Sequence, residues 1–522
     1  MTGRPNALQQ PDRPEPRSPQ ALRSPQALLD TVRALRADVV RDAAEICRNW
    51  AAWPTRRAFR ISQRNLACYL ALRRHDLREL QNALMPHGIS SLGRGESRVL
   101  EQLDAVIAAL EALCGEPPRT QAPTVQQFFR GDRLLRRNTE EVFGPVSDGS
   151  GHAVRIMVTF PSEAADDYEM VRELVSRGMD AARINCAHDT PDAWLRMIEH
   201  IHRAEEALGR RILIHMDLAG PKCRTGAVVA PKGQPLQVGD TVLLTRGAPK
   251  KSKKQPHQAE IAIPALLDQL AVGQAIWFDD GVMGTTIERI DEEGALVRVK
   301  HVGPKGYKLK PEKGLNFPNT DLRLNPLDAD DLAALDFVCQ HADSVGYSFV
   351  QTADDVRLLQ REIARRIEGG QTGARVGHRP LAVVAKIETG MAVRELPNII
   401  AAAAGAGPFA VMIARGDLAV EIGFERMAEI QEELLWLCEA AHVPVIWATQ
   451  VLERFVKEGT PSRGEMTDAA SAVRAECVML NKGPYVADAI TTLESLMLRM
   501  QDHLRKKTPQ LRALRAWSSL ME

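Results

Sequence analysis

The chain has 522 residues, with 67 Lys and Arg balanced by 67 Asp and Glu, which is enough for two to four domains and gives no excess charge for a nucleic acid or a membrane surface. It has no uninterrupted run of about 18 apolar residues, so no transmembrane helix is expected, and its start lacks the apolar centre of a secretory signal. The eight cysteines are scattered without a CxxC pair, which points to reduced thiols and a cytoplasmic setting and away from a disulfide framework or a zinc site.

Residues 1–26 are rich in Pro, Arg, Ser and Gln, with SPQALR and SPQALL repeated back to back, and read as a disordered leader. Asp12, Glu15 and the prolines argue against an arginine-rich amphipathic targeting helix. From 27 the spacing turns helical. LLDTVRALRADVVRDAAEIC sets Leu28, Val32, Leu35, Val39, Ala43 and Ile46 at three- and four-residue steps. NLACYLALRRHDLRELQNAL and SRVLEQLDAVIAALEAL repeat that pattern, with Pro86, Gly88, Gly93 and Gly95 breaking it between them. A helical extension over 27–150 is expected, whose apolar faces need the rest of the chain or another subunit.

From 151 the rhythm becomes strand, loop, helix. RIMVTF, DAARIN and RILIHMDL are short apolar strands. DDYEMVRELVSRGM is a helix that stops at Gly178, and DTPDAWLRMIEHIHRAEEAL is a helix capped by Asp189 or Thr190. ADSVGYSF, LAVVAKIE, FAVMIA, VPVIWA and CVML resume the alternation beyond 327. Eight fully apolar strands separated by helices predict an α/β fold, a (β/α)8 barrel whose functional residues lie at the carboxyl ends of its strands. The barrel is expected over 151–226 and 313–505, followed by a tail at 506–522. Residues 227–312 interrupt it with TVLLTR, IAIPALL, AIWFDDG, GTTIERI and ALVRVKHV, short strands with Gly and Asp turns. They predict an inserted, small, β-barrel-like domain that can lie over the active face as a lid. GAPKKSKKQPHQ within it reads as a solvated basic loop.

The chemistry concentrates in VVAKIETG (383–390) and MIARGDLAVEIG (412–423). Lys386 and Glu388 have i, i+2 spacing, so on one strand they point the same way. Asp417 follows a second apolar strand. Two carboxylates and a lysine at strand ends suit a metal-assisted reaction on an anion, because carboxylates hold a hard cation and the ammonium offsets charge on a transferring phosphoryl group. A Lys-x-Glu pair on a strand is more often a surface pair, but both flanks here are apolar, and an unpaired charge buried there would be costly.

Nine blocks occur in an order that resembles pyruvate kinases: GMDAARIN, DLAGPKCRTG, DDG, EKGLNFP, SFV, AKIETG, ARGDLAVEI, ATQVLE and SRGEMTDAASAV. The resemblance covers about 152–500. It implies phosphoryl transfer between phosphoenolpyruvate and ADP, giving pyruvate and ATP, by a homo-oligomer. It further implies that Glu388 and Asp417 ligate Mg²⁺ or Mn²⁺, that Lys386 stabilises the phosphoryl group in flight, and that Arg183 grips the substrate phosphate. Thr449 would sit over the enolate near the proton donor, and the backbone N–H groups around Arg415, Gly416 and Asp417 would hold the substrate carboxylate. Asn185, Arg224 and Lys313 would contact the nucleotide.

The chain departs from the family pattern at several places. Asn185 and Asp217 belong to the family's monovalent-cation site, but the serine two residues after the asparagine is Ala187 here. The glutamate after Gly-Pro is Lys222, whose ammonium can stand in for K⁺, so K⁺ is not expected to be required. Leu218-Ala219 replaces the usual Thr-Lys, and TFPSEA replaces a Gly-Pro turn after the first strand. MLNKGPYVADA skips most of a Ser-Gly-Glu-Thr loop, leaving Asn481 near the nucleotide position. No C-terminal regulatory domain is expected before Glu522, nor sugar-phosphate control through one. Two alternatives stay open on sequence: a binding or regulatory protein with impaired nucleotide use, and a metal-dependent lyase or aldolase of a 2-oxo acid on the same barrel.

Overall fold

The computed structural model describes residues 24–145, 153–318, 320, 322, 325–369, 380–506 and 508–509. Most of the leader, and the tail apart from 506 and 508–509, lie outside them. Contacts divide the chain into two units, Met1–Cys47 with Ala67–Arg130, and Arg48–Leu66 with Gly131–Glu522.

The first unit is helical. Pro25–Asn49 buries Leu28, Leu29, Val32, Leu35, Val39 and Ala43 along one stripe, and Val99–Cys114 buries Leu103, Val106, Ile107 and Leu110. Arg33 joins the two helices through Glu111, with which its guanidinium bonds at 2.8 Å. That bond, with the N–H groups of Thr120 and Arg119, holds the Glu111 carboxyl down to about 2. The stretch expected as one helix from Asn65 to Leu84 is two, Arg60–Leu72 and Arg78–Leu84. The polar run Arg73–Asp76 between them offers no apolar step to continue a buried stripe.

The second unit contains a closed barrel of eight parallel strands: β1 (Arg155–Thr159), β2 (Ala181–Asn185), β3 (Leu213–Asp217), β4 (Ser344–Tyr347), β5 (Ala382–Ile387), β6 (Phe409–Ala414), β7 (Val445–Ala448) and β8 (Cys477–Leu480). Each pairs with its neighbours in sequence order, and β8 pairs with β1. Met157, Ala181, Leu213, Val384, Ala410, Met412, Ile446 and Met479 pack inside it. Val142 and Phe143, at the end of the helix Arg130–Phe143, join the same core. The helical spacing of the sequence did not single out this helix, because RGDRLLRRNTEEVF has only two short apolar steps in fourteen residues.

Strand period two continues from that core into the site. Leu213 is followed by His215 and Asp217, Ala181 by Arg183 and Asn185, and Val384 by Lys386 and Glu388. The polar members thus lie at or next to the carboxyl ends of the strands that the apolar members anchor.

The insertion is a seven-stranded sheet in the order 315–316, 275–278, 283–290, 294–302, 241–245, 258–261, 225–229. A bridge between Arg224 and Gly314 joins its two edges, so the sheet closes on itself around Val242, Leu244, Ile261, Ile276, Phe278 and Val297. The strand expected in IAIPALL ends at Ile261, and Pro264 opens a 3-10 turn, Pro264–Gln269, in its place. Proline has no N–H for a ladder and its fixed φ suits a helical start.

Candidate active site

Lys386 leaves β5 into a buried polar cluster. Its Nζ donates to Ser348 Oγ at 2.7 Å and lies 3.2 Å from Glu388 Oε1 and 3.4 Å from Asp217 Oδ2. Burial opposes its charge, but Asp217 and Glu388 outweigh burial, and the ammonium titrates above its ordinary value. Arg183 takes the same Asp217 oxygen through Nε at 2.8 Å and Nη2 at 2.6 Å, and its Nη1 donates to Thr159 Oγ1 at 3.0 Å. Burial works against the Asp217 charge as well, yet Arg183, Lys386 and His215 hold its carboxyl well below the usual range.

Glu388 is buried and accepts from the Phe349 N–H at 2.6 Å. Burial first, then the negative charge of Asp417, raises its carboxyl above the ordinary value despite Lys386. Asp417 sits in the first turn of the helix Arg415–Ile422, which starts directly at the end of β6. Its Oδ1 accepts from Lys222 Nζ at 2.7 Å and from Asn316 Nδ2 at 3.3 Å. Two carboxylates that repel each other, beside a buried Asn316 Oδ1 with no protein partner, form a hard oxygen donor set. No cluster of three His, Cys, Asp or Glu suited to a metal exists among the described residues. Two carboxylates and an amide oxygen are nonetheless donors of the kind that suit Mg²⁺ or Mn²⁺, which bind through one or two carboxylates and keep several waters.

Lys222 does not pair with the carboxylate of Asp217. Its Nζ bridges Asp417 and Asp280, the latter at 3.1 Å, while Asp217 is taken by Arg183, Lys386 and His215. Asn185 Oδ1 accepts the N–H of Ala187 at 3.1 Å, and β2 places Asn185 opposite Asp217. Lys313 holds Asp279 at 2.9 Å, and Arg224 donates to the Glu312 carbonyl at 3.2 Å. A Cβ on Gly281 would come within 3.3 Å of Val420, so the Asp279–Gly281 turn of the inserted domain lies against the helix carrying Asp417. Asn481 donates to Glu453 at 2.9 Å.

Thr449 follows β7 with φ 63°, and Gln450 and Leu452 are left-handed as well. A β-branched residue there is strained. Arg415 offsets that strain. It donates to the carbonyls of Ala448 and Thr449 at 3.1 and 2.6 Å, pairs with both oxygens of Asp468, and lies 4.7 Å over the Trp447 ring. Thr449 Oγ1 accepts the Gly416 N–H at 2.8 Å, so one of the helix-start amides expected to face a carboxylate is already engaged.

Sequence reasoning left Ser348, Asn316, Asp468, Asp280, Glu421 and His215 without roles, although all but His215 lie inside the SFV, EKGLNFP, SRGEMTDAASAV, DDG and ARGDLAVEI blocks. Glu421 accepts from the Phe317 N–H at 3.2 Å, and burial pushes its carboxyl up to about 7. The folded state thus keeps a proton that the unfolded chain releases near 4.5, so stability is lost as pH rises from that value towards 7. The urea midpoint of metal-free protein is expected to fall between about pH 5 and about pH 7.5, and to fall less in Glu421→Gln. Equal slopes for the two proteins would remove Glu421 as the cause.

A family model described as "Pyruvate kinase, barrel domain" matches residues 152–490. The chain is similar to Pyruvate kinase PKLR of Rattus norvegicus, 30% identical over 342 residues that make up 63% of this chain and 56% of that protein. It is similar to a pyruvate kinase of Candida albicans, 29% identical with 64% of each chain covered, and to one of Geobacillus stearothermophilus, 30% identical with 66% of this chain and 56% of that protein covered. The match spans 56 to 64% of the length of these relatives.

Proposed function

The chain belongs to the pyruvate kinase family, and from that premise we propose that it transfers the phosphoryl group of phosphoenolpyruvate to ADP, in the cytoplasm and without a need for K⁺. The observation that carries the reading is the convergence of Lys386 and Arg183 on one oxygen of Asp217, beside the Glu388 carboxylate. Two fixed cations at that spacing suit the equatorial oxygens of a transferring phosphoryl group, where positioning and charge account for most of the rate.

Arg183 would hold the phosphate and Lys386 would follow it during transfer. Glu388 and Asp417 would hold Mg²⁺ or Mn²⁺, which when bound neutralises charge on the phosphate and the enolate. The amides opening the helix Arg415–Ile422, apart from the Gly416 N–H that Thr449 Oγ1 takes, would face the substrate carboxylate, favoured by the positive end of that helix. Thr449 would stand at the enolate face. Asn185, Arg224 and Lys313 would meet the nucleotide from the barrel and the inserted domain. Lys222 would supply as a fixed ammonium the charge that a monovalent cation brings elsewhere in the family.

The deciding assay is purified protein with phosphoenolpyruvate, ADP and Mg²⁺, scored for pyruvate. Turnover dependent on ADP and metal is the expected result. Metal-dependent phosphoenolpyruvate binding without turnover would favour a binding protein, in line with the shortened segment at Asn481. Cleavage of a 2-oxo acid without nucleotide would favour the lyase.

A further inference from the structure

The roles above leave one imidazole inside the barrel unused. His215 lies two residues before Asp217 on β3, so both point inward, and both are fully buried. Leu213, the next residue down that face, is apolar, and an apolar side chain at 215 would avoid the desolvation that a buried imidazole must offset by bonding.

The bonds are present at both nitrogens. Nε2 lies 2.7 Å from Asp217 Oδ1, and Nδ1 lies 2.9 Å from Ser344 Oγ on the register partner of His215 in β4. An ionised carboxylate can only accept, so Nε2 carries the hydrogen. Space for the pair comes from Gly346. A Cβ there would stand 1.8 Å from Asp217 Oδ1 and 2.9 Å from His215 Nε2, and its φ is not left-handed, so the glycine is required for room. His215 thus bonds Oδ1 of Asp217, with Ser344 at its other nitrogen and Gly346 leaving the room for the pair. The opposite oxygen, Oδ2, meets Arg183 and Lys386.

We propose that His215 is a positioning residue for phosphoryl transfer: its Nε2–H fixes the rotation of the Asp217 carboxylate, so that Oδ2 sets the spacing between Arg183 and Lys386. The proposal rests on the reading of this site as one that transfers phosphate from phosphoenolpyruvate. Without the bond, the carboxylate can turn and both cations follow it, and displacements of about 1 Å in such a site cost about 100-fold in rate.

The test compares the parent, His215→Leu and His215→Gln, varying phosphoenolpyruvate and ADP separately and recording the melting temperature of each. The expected result for His215→Leu is a fall of about 100-fold in kcat with KM for ADP unchanged. His215→Gln, whose amide can donate to Asp217, is expected to recover at least about a tenth of parental kcat. Unchanged kcat per folded molecule in His215→Leu, whatever its melting temperature, would overturn the proposal. So would a glutamine variant that folds like the parent and is no more active than the leucine variant. Nitrogen-15 NMR of the imidazole in the parent needs no turnover. A hydrogen-bonded Nε2–H that shifts in Asp217→Asn supports the lock, and a ring protonated only at Nδ1 refutes it. A parent that makes no pyruvate but shows the Nε2–H signature would sink the reaction and leave the His215–Asp217 lock standing.

Discussion

Lys386→Met is expected to lower pyruvate formation by at least about 10³-fold, with the loss in kcat. The ammonium is held from three sides, by Ser348, Glu388 and Asp217, so it is placed before substrate arrives and needs no reorganisation during transfer. Methionine keeps much of the volume and loses the charge. The substitution also removes the cation that offsets the Glu388 charge, so its carboxyl, already raised by burial and by Asp417, rises further. Mg²⁺ affinity should therefore weaken as well, because a protonated carboxyl is a poor ligand. Removing one partner of a buried ion network costs about 3–5 kcal/mol, so the melting temperature must be measured beside the rate. Turnover within about tenfold of the parent in a folded Lys386→Met protein would remove the lysine from the chemistry. Inactivity explained wholly by unfolding would be exposed by Ser348→Ala, which removes one support of the lysine and keeps its charge.

The barrel was legible because its strands are apolar on both faces and separated by helices of ordinary length. The same property exposed Lys386, Glu388 and Asp417, since charges ending such strands have no surface to reach. Their partners were not legible. Lys222 meets Asp417 across 195 positions of sequence, Asn316 meets it across 101, and Arg415 meets Asp468 across 53. Those pairings depend on how the inserted domain folds down on the barrel and how neighbouring strand-end loops meet, and no local spacing encodes either. His215 was hidden for another reason. In RILIHMDL it reads as one polar residue in an apolar run, and its meaning appears only when Ser344 and the space at Gly346 come alongside from β4. The site at Asn185 and Asp217 shows the limit of motif transfer. The resemblance led to the expectation of a cation site there, but the Asp217 carboxylate is committed to Arg183, Lys386 and His215, and the lysine expected to complete that site bonds elsewhere.

That commitment makes the ionic requirement the second large test. Pyruvate formation by the parent without K⁺ is expected to lie within about twofold of its value at about 100 mM K⁺, a concentration that would fill ordinary weak sites. Lys222→Glu is expected to lower the K⁺-free rate by about 10²-fold. The reason is charge. Lys222 Nζ lies between Asp417 at 2.7 Å and Asp280 at 3.1 Å, and these carboxylates raise its affinity for the proton against the effect of burial. Glutamate at that position would place a third carboxylate beside both and leave Asp417 facing Glu388 without compensation. Added K⁺ should then recover part of the activity, because a monovalent cation can supply the charge that the variant lost. A parent that is silent without K⁺ and wakes on its addition would end the fixed-ammonium account. A glutamate variant as active as the parent in K⁺-free buffer would show that the ammonium, although bonded to Asp417, contributes nothing to the field at the reacting phosphate.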